Sequence, residues 1–295
     1  MKEYEELKNK VVVITGASQG LGYEIAKSFT KLGSNLAICA RNKFLLKKSL
    51  NKLKKYIRGG QKIFAFKADV TSQREVFVFV KKIIKKFNKI DILINNAGIL
   101  GPKGKVEELN WKKWIKTTEI NLFGSVLMCR AVLPHFKKAK KGKIIQISGG
   151  GATNPKPMFT GYCASKAAIV RFVETLALEV KNYNIQVNSV APGPLNTNMI
   201  NEVLQAGPKK VGKDFYIEAI QQKKNGEMSF KIPKELIFFL SSSRSRGITG
   251  KLISARRDNW KNWPRHLKKI TSSDVYTLRR IIGKDRGFSS GDKKN

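Results

Sequence analysis

The chain has 295 residues, 41% of them hydrophobic, and a formal net charge of +37, so it is long enough for one large domain or two small ones with a real core. No apolar run reaches the roughly 18 residues a membrane-spanning helix needs. The charged start, Met1-Lys2-Glu3-Tyr4-Glu5-Glu6, lacks the apolar stretch of a secretory signal. Cys39, Cys129 and Cys163 are far apart and odd in number, which fits neither a disulfide framework nor a metal site. Reduced thiols in a cytoplasm are expected.

The charge raises the question of nucleic acid, since lysines neutralise phosphates. The lysines are spread over what read as polar helix faces (Lys47, Lys48, Lys54, Lys55; Lys81, Lys82, Lys85, Lys86). No helix-turn-helix, zinc-finger or RNP pattern accompanies them. Compositional drift is the preferred account, and no specific nucleic-acid partner is expected.

In chain order, the β-branched run Val11-Val12-Val13-Ile14 reads as a buried parallel strand. Thr15-Gly16-Ala17-Ser18-Gln19-Gly20-Leu21-Gly22 follows, then a helical pattern (Ile25, Ala26, Phe29, Leu32) that stops at Gly33. Strand, glycine-rich turn and helix are what a pyrophosphate cradle needs, because glycine admits close backbone approach and a helix N-terminus offers N–H groups. A second strand, residues 35–40, ends in Ala40-Arg41. An acid there would take the ribose 2′-hydroxyl of NAD, whereas arginine suits the 2′-phosphate of NADP. NADP is therefore preferred, with NAD open. The alternative is that Arg41 merely begins a solvated helix over 42–57.

The alternation continues with a strand at 62–66, Asp69-Val70, a helix over 72–87, and a strand at 90–94 ending in Asn95-Asn96-Ala97-Gly98. Repeated βα units predict an α/β fold with a doubly wound parallel sheet, in which ligands bind at the carboxyl ends of strands. A tryptophan-bearing helix (Trp111, Trp114, Ile115) leads to Asn121, a poor helix former in mid-helix. A long helix then runs to about Pro134. A strand at 143–147 ends at Ser148-Gly149-Gly150-Gly151, and one at 185–190 ends at Ala191-Pro192-Gly193.

Between those two strands lies Gly161-Tyr162-Cys163-Ala164-Ser165-Lys166, which opens an apolar helical pattern. Positions i and i+4 share a helix face. An ammonium beside a phenol is expected to lower its pKa from about 10 towards the working pH, which suits acid/base work on a carbonyl or an alcohol.

The motifs at 15–22, 69–70, 95–98, Asn121, 162–166, Pro192-Gly193 with Thr197, and Ile248-Thr249-Gly250 together resemble the short-chain dehydrogenase/reductase family, in order and spacing, across residues 10–253. The resemblance implies a Rossmann-like single domain over 1–253. It implies a hydride transfer between a nicotinamide cofactor and a carbonyl/alcohol substrate, such as a sugar nucleotide or an acyl derivative. By similarity, Gly16, Ser18, Gln19, Gly20, Leu21, Gly22, Arg41, Asp69, Val70, Asn95, Ala97, Gly98, Tyr162, Lys166, Pro192, Gly193 and Thr197 meet the cofactor. Tyr162 is the acid/base, Lys166 its partner, and Asn121 links Lys166 to solvent through a kink and a water. A homodimer or homotetramer through helices 121–136 and 161–181 is expected, and no metal.

One position departs from the pattern. The family's catalytic serine usually lies thirteen residues before the tyrosine, and Gly149 stands there. Either Ser148 serves, or a hydroxyl comes from elsewhere, such as Thr153, or the enzyme is weakened to a cofactor-binding homologue.

Residues 198–232 are longer than the usual substrate loop and are expected to form a lid, with short helices at 201–206 and 213–222. A helix over 233–240 and a strand over 249–253 complete the domain. The basic extension 254–295 weakly resembles that of family members from sugar or surface-polysaccharide gene clusters. Either Arg256 and Arg257 meet an anionic substrate group or the segment is a subunit-interface arm; the arm is preferred. Trp260 and Trp263 are expected to anchor packing. A helix is expected over 274–282 and disorder from Gly287 onwards.

Overall fold

In the computed structural model, residues 2–224 and 230–288 are described. Seven parallel strands form one sheet in the order β3-β2-β1-β4-β5-β6-β7. They are β1 (Val11–Thr15), β2 (Asn35–Ala40), β3 (Ile63–Lys67), β4 (Ile92–Asn95), β5 (Gly142–Ile147), β6 (Ile185–Ala191) and β7 (Leu252–Ser254). The strand order reverses between β1 and β4, so a crevice opens at their carboxyl ends, as in other doubly wound sheets.

Side chains alternate across the pleat. Val12, Ile14, Leu36 and Ile38 pack into one core with α1 (Gly20–Lys31), α2 (Lys43–Lys54) and α10 (Lys231–Ser241). Val11, Val13, Ala37 and Cys39 face the other way, towards α3 (Gln73–Phe87), α5 (Gly124–Ala139) and α6 (Thr160–Glu179). Both faces are covered, which is why these strands read as apolar runs rather than alternating ones.

The helix α4 (Trp111–Thr118) continues into α5 through one π turn, Glu119–Phe123, which contains Asn121. A mid-helix asparagine thus sits where the helix takes in an extra residue. The α5 helix runs past Pro134 to Ala139, beyond the expected stop. Pro134 lies on the exposed side while Val132 and Phe136 are buried. One lost hydrogen bond is offset by continued packing.

After β6, α7 (Asn198–Ala206), α8 (Pro208–Val211) and α9 (Lys213–Lys224) form a separate small cluster in which Val203, Val211 and Ala219 pack around Phe159. Residues 225–229 of the expected lid lie outside the described residues.

The segment beyond β7 packs back on its own chain. Trp260 and Trp263 are buried, and α11 (Leu267–Thr271) supplies Ile270 to the same core. The helix expected over 274–282 is absent. Tyr276 takes φ +61, which a helix does not tolerate. Its carbonyl accepts from Leu252 N at 2.7 Å, and Leu278 N donates to Glu174 Oε1 at 2.6 Å. These backbone groups are engaged elsewhere. Of the tail expected to be disordered, Gly287 and Phe288 close a turn on Lys284 O and Gly283 O, and residues 289–295 lie outside the described residues.

Candidate active site

A cavity of about 1580 Å³ opens along the carboxyl ends of the strands. That exceeds the roughly 300–1,000 Å³ of a drug-sized pocket and leaves room for a dinucleotide with a second molecule beside it. At its β1 end, Gly16 (φ +65) and Gly20 (φ +56) hold left-handed conformations that open the turn before α1. A Cβ on Gly16 would stand 2.9 Å from Ala97 Cα. Thr15 Oγ1 accepts from Asn96 N and Ala97 N, both at 3.0 Å, so the turn is fastened to the end of β4.

Gly16, Ser18, Gln19, Gly20, Leu21, Arg41, Val70, Ala97, Gly98, Ser148, Tyr162, Lys166, Pro192, Gly193 and Thr197 all line this cavity. The sequence motifs therefore converge on one space. Four expected site residues do not line it. Asn95 turns into the protein on the α5 side, with Nδ2 on Ser125 O at 3.3 Å, because strand alternation puts it on the face of Leu93. Its neighbour Asn96 lines the cavity instead, and Asn96 Nδ2 donates to Thr15 O and Gly16 O at 3.0 and 3.2 Å. Gly22 is a packing position, since a Cβ there would meet Asn96 Nδ2 and Gly16 O at 2.4 Å.

Asp69 caps its own turn, accepting from Thr71 N and Oγ1 at 2.9 and 2.8 Å. Burial pushes its carboxyl pKa up, but the Thr71 hydrogen bonds and the charges of Arg41 and Lys116 outweigh that and hold it below the usual value. Asn121 lies behind Gly98. Its Oδ1 accepts from Ile99 N at 2.8 Å, and its Nδ2 donates to Ile99 O at 2.9 Å and Ser165 Oγ at 3.0 Å. It thus ties the π turn, the β4 loop and α6 together beneath the cavity floor.

Tyr162 and Lys166 share one face of α6. The start of that helix is set by Trp114, whose Nε1 donates to Thr160 Oγ1 at 3.1 Å and whose ring lies on Gly161, where a Cβ would come within 3.2 Å. Lys166 Nζ donates to Ile147 O at 2.9 Å and stands 5.8 Å from the Tyr162 ring centre. Burial pushes the lysine down to about 8 and the tyrosine up to about 12. Burial, with the neighbouring Cys163 second, raises the phenol, the opposite direction to the sequence expectation.

Gly149 closes the wall opposite Tyr162. Ser148 is buried, and its Oγ has no hydrogen-bond partner among the described residues. Thr153 and Asn154 line the same wall. Residues missed from sequence include Asn96, Tyr276 and Thr277. The asparagine doublet was a visible signal for the first. The other two reach the cavity only because the C-terminal segment folds back. Among the described residues, no group of three His, Cys, Asp or Glu side chains is placed to hold a metal, and no helix is long and apolar enough to cross a membrane.

A parallel sheet whose reversal point carries a glycine turn, with strand ends lining one long cavity, defines a Rossmann-like, NAD(P)-binding type of fold. The short chain dehydrogenase family model matches residues 10–207. The chain is 31% identical over 251 residues to the 3-oxoacyl-(acyl-carrier-protein) reductase FabG of Chlamydia muridarum, covering 84% of this chain and 96% of that one. It is 33% identical over 193 residues to the 2,3-dihydro-2,3-dihydroxybenzoate dehydrogenase of Bacillus subtilis, covering 65% and 72%. Among solved structures, NAD+-bound xylitol dehydrogenase superposes with a TM-score of 0.76 at 25% identity, covering 84% of this chain and 98% of that one. An actinorhodin polyketide ketoreductase variant with NADPH gives 0.75 at 26%, covering 83% and 95%. The chain belongs to the short-chain dehydrogenase/reductase family of oxidoreductases.

Proposed function

We propose that this protein is an NADP-dependent oxidoreductase that interconverts a carbonyl and an alcohol, with Tyr162 as the acid/base. The observation that carries this reading is that Tyr162, Lys166, the Gly16–Gly22 turn and Arg41 are all set along one cavity. A bound nicotinamide cofactor supplies the hydride. The open turn at Gly16 and Gly20 fits its pyrophosphate, with Ser18, Gln19 and Leu21 around it. Val70, Ala97 and Gly98 line the cavity, as do Pro192, Gly193 and Thr197, with Thr197 beside Gly20 of the turn.

Arg41 favours a 2′-phosphate because β2 ends in Ala40, with no carboxylate to take a ribose hydroxyl. In reduction, Tyr162 Oη holds a proton that burial keeps bound and donates it to the substrate oxygen. Lys166 stabilises the phenolate that results, and Asn121 fixes the floor beneath Lys166. Ser148 is a candidate for a second hydrogen bond to the reacting oxygen, because it lines the cavity and its Oγ has no partner among the described residues.

Helices α7 to α9 act as the lid, and residues 1–253 form the catalytic domain, onto whose core the segment after β7 packs. Exposed Leu178 on α6 and Phe123 beside α5 favour a homodimer or homotetramer through those helices. The glycine at 149 favours a second reading, a cofactor-binding homologue with little turnover.

The test is NADPH and NADH oxidation with a panel of ketones, 3-oxoacyl thioesters and keto-sugar nucleotides. Wild-type turnover, reduced by about 10²–10⁴ in Tyr162→Phe with NADPH binding retained, is the expected result. Tight NADPH binding with no turnover on any of the panel supports the second reading.

A further inference from the structure

Beyond Ser254 the chain builds a wall of the cavity. Arg256, Arg257 and Asp258 follow β7 and line it, as do Tyr276 and Thr277 further on. Both stretches are fastened. Trp260 Nε1 donates to Ala255 O at 3.0 Å, and its ring lies 5.7 Å from that of Phe239. Lys251 Nζ donates to Ser273 O and Val275 O at 2.6 and 2.9 Å. Glu174, on the helix that carries Tyr162, accepts from Leu278 N and pairs with Arg171, which also donates to Leu278 O. The wall is therefore part of the folded domain.

Two arginines on this wall have no partner. Neither Arg256 nor Arg257 makes a side-chain hydrogen bond or an ion pair among the described residues, and both are exposed to the cavity and solvent. Most of the lining acids are engaged. Asp258 Oδ2 accepts from Ser254 N at 2.7 Å, Glu202 pairs with Lys103, and Glu24 pairs with Lys27 and Lys234. Glu218 on α9 is the exception. The stem of Arg256 lies on Gly193, where a Cβ would stand 2.8 Å from Arg256 Cδ. That glycine (φ +80) lets the arginine lie flat against the loop after β6. Both arginines line one cavity without a paired counter-charge, and an oxyanion there neutralises their charge and accepts forked hydrogen bonds.

We propose that Arg256 and Arg257 form an anion subsite for the substrate, so that the carbonyl compound carries a carboxylate or a phosphate. The proposal rests on the oxidoreductase reading for the word substrate, but not for the anion site itself. The cofactor's own phosphates have a separate place, at the glycine turn and Arg41.

The experiment uses the full chain and the double variant Arg256→Gln, Arg257→Gln at constant ionic strength. Calorimetry with NADP present measures binding of inorganic phosphate and of malonate, which distinguishes the two anion types without turnover. Kinetics compare a keto acid or keto phosphate with the corresponding neutral ester. Wild type is expected to bind at least one of the two anions. The double variant is expected to weaken that binding about tenfold or more and to raise KM for the anionic ketone far more than for the ester.

Two results overturn the proposal. One is equal anion binding by both proteins, or by neither. The other is a parallel loss of NADPH affinity in the variant, which would assign the arginines to the cofactor. If no ketone is turned over, the oxidoreductase reading fails while the calorimetry still decides the subsite.

Discussion

A Cβ built on Gly149 would stand 2.3 Å from Tyr162 Oη and 3.4 Å from Tyr162 Cζ. The phenol therefore occupies the space into which a side chain at position 149 would project. Gly149→Ala is expected to displace Tyr162 Oη. Overpacking of this kind costs about 1–3 kcal/mol, or about five- to 150-fold in kcat if it falls on the proton-transfer geometry. Unchanged kcat in Gly149→Ala, with the fold intact, would mean that the working tyrosine sits elsewhere. Gly149→Ser carries the same clash, so an added hydroxyl at this position is not expected to restore a family-like site by itself.

Ser148 separates stability from activity. A buried hydroxyl without a partner costs about 1–3 kcal/mol, so Ser148→Ala is expected to leave Tm unchanged or raise it. If Ser148 Oγ meets the reacting oxygen, the same variant loses about 10²–10³ in kcat. A variant that melts higher and keeps full kcat would transfer the role to the wall that carries Thr153.

The lysine at the site sets a pH limb. Burial lowers Lys166 to about 8, so the ammonium is present below that pH and lost above it. Reduction is therefore expected to decline as pH rises through about 8 in the kcat/KM profile. Lys166→Arg, with a side chain that stays charged, should remove this limb even where absolute activity falls. A profile flat to pH 10 in wild type would contradict the burial argument.

The proposed preference for NADP rests on Arg41. Hydrogen bonds to charged groups contribute about 1.5–3 kcal/mol, so Arg41→Ala is expected to raise KM for NADPH about ten- to a hundredfold and to leave KM for NADH nearly unchanged. Equal effects on both would assign Arg41 to the adenosine in general. No effect on either would leave it as a solvated residue before α2.

The sequence carried much of this fold for a physical reason. Strands buried on both faces must be apolar throughout, and Val11 to Ile14 or Ile92 to Ile94 leave little else to be. Glycines in the turn before α1 are demanded by positive φ at Gly16 and Gly20, so they announce the cradle locally. The Tyr162–Lys166 face follows from helical spacing alone.

What the sequence could not decide is set by groups far apart in the chain. Which asparagine of the 95–96 pair faces the cavity depends on the pleat of β4 and on Ser125, thirty positions away. The pKa of Tyr162 depends on how completely the fold excludes water from it, and burial reverses the expected direction. The course of residues 274–282 depends on Leu252, Lys251 and Glu174, which capture backbone groups a helix would have used. By itself the sequence determined the order of strands and helices, the glycine turn and the spacing of the tyrosine and lysine, because each is a local rule of backbone and periodicity. Only the tertiary structure decided that Tyr162 fills the space beside Gly149, and that Arg256 and Arg257 stand on the same cavity, because both depend on contacts closed by long-range packing.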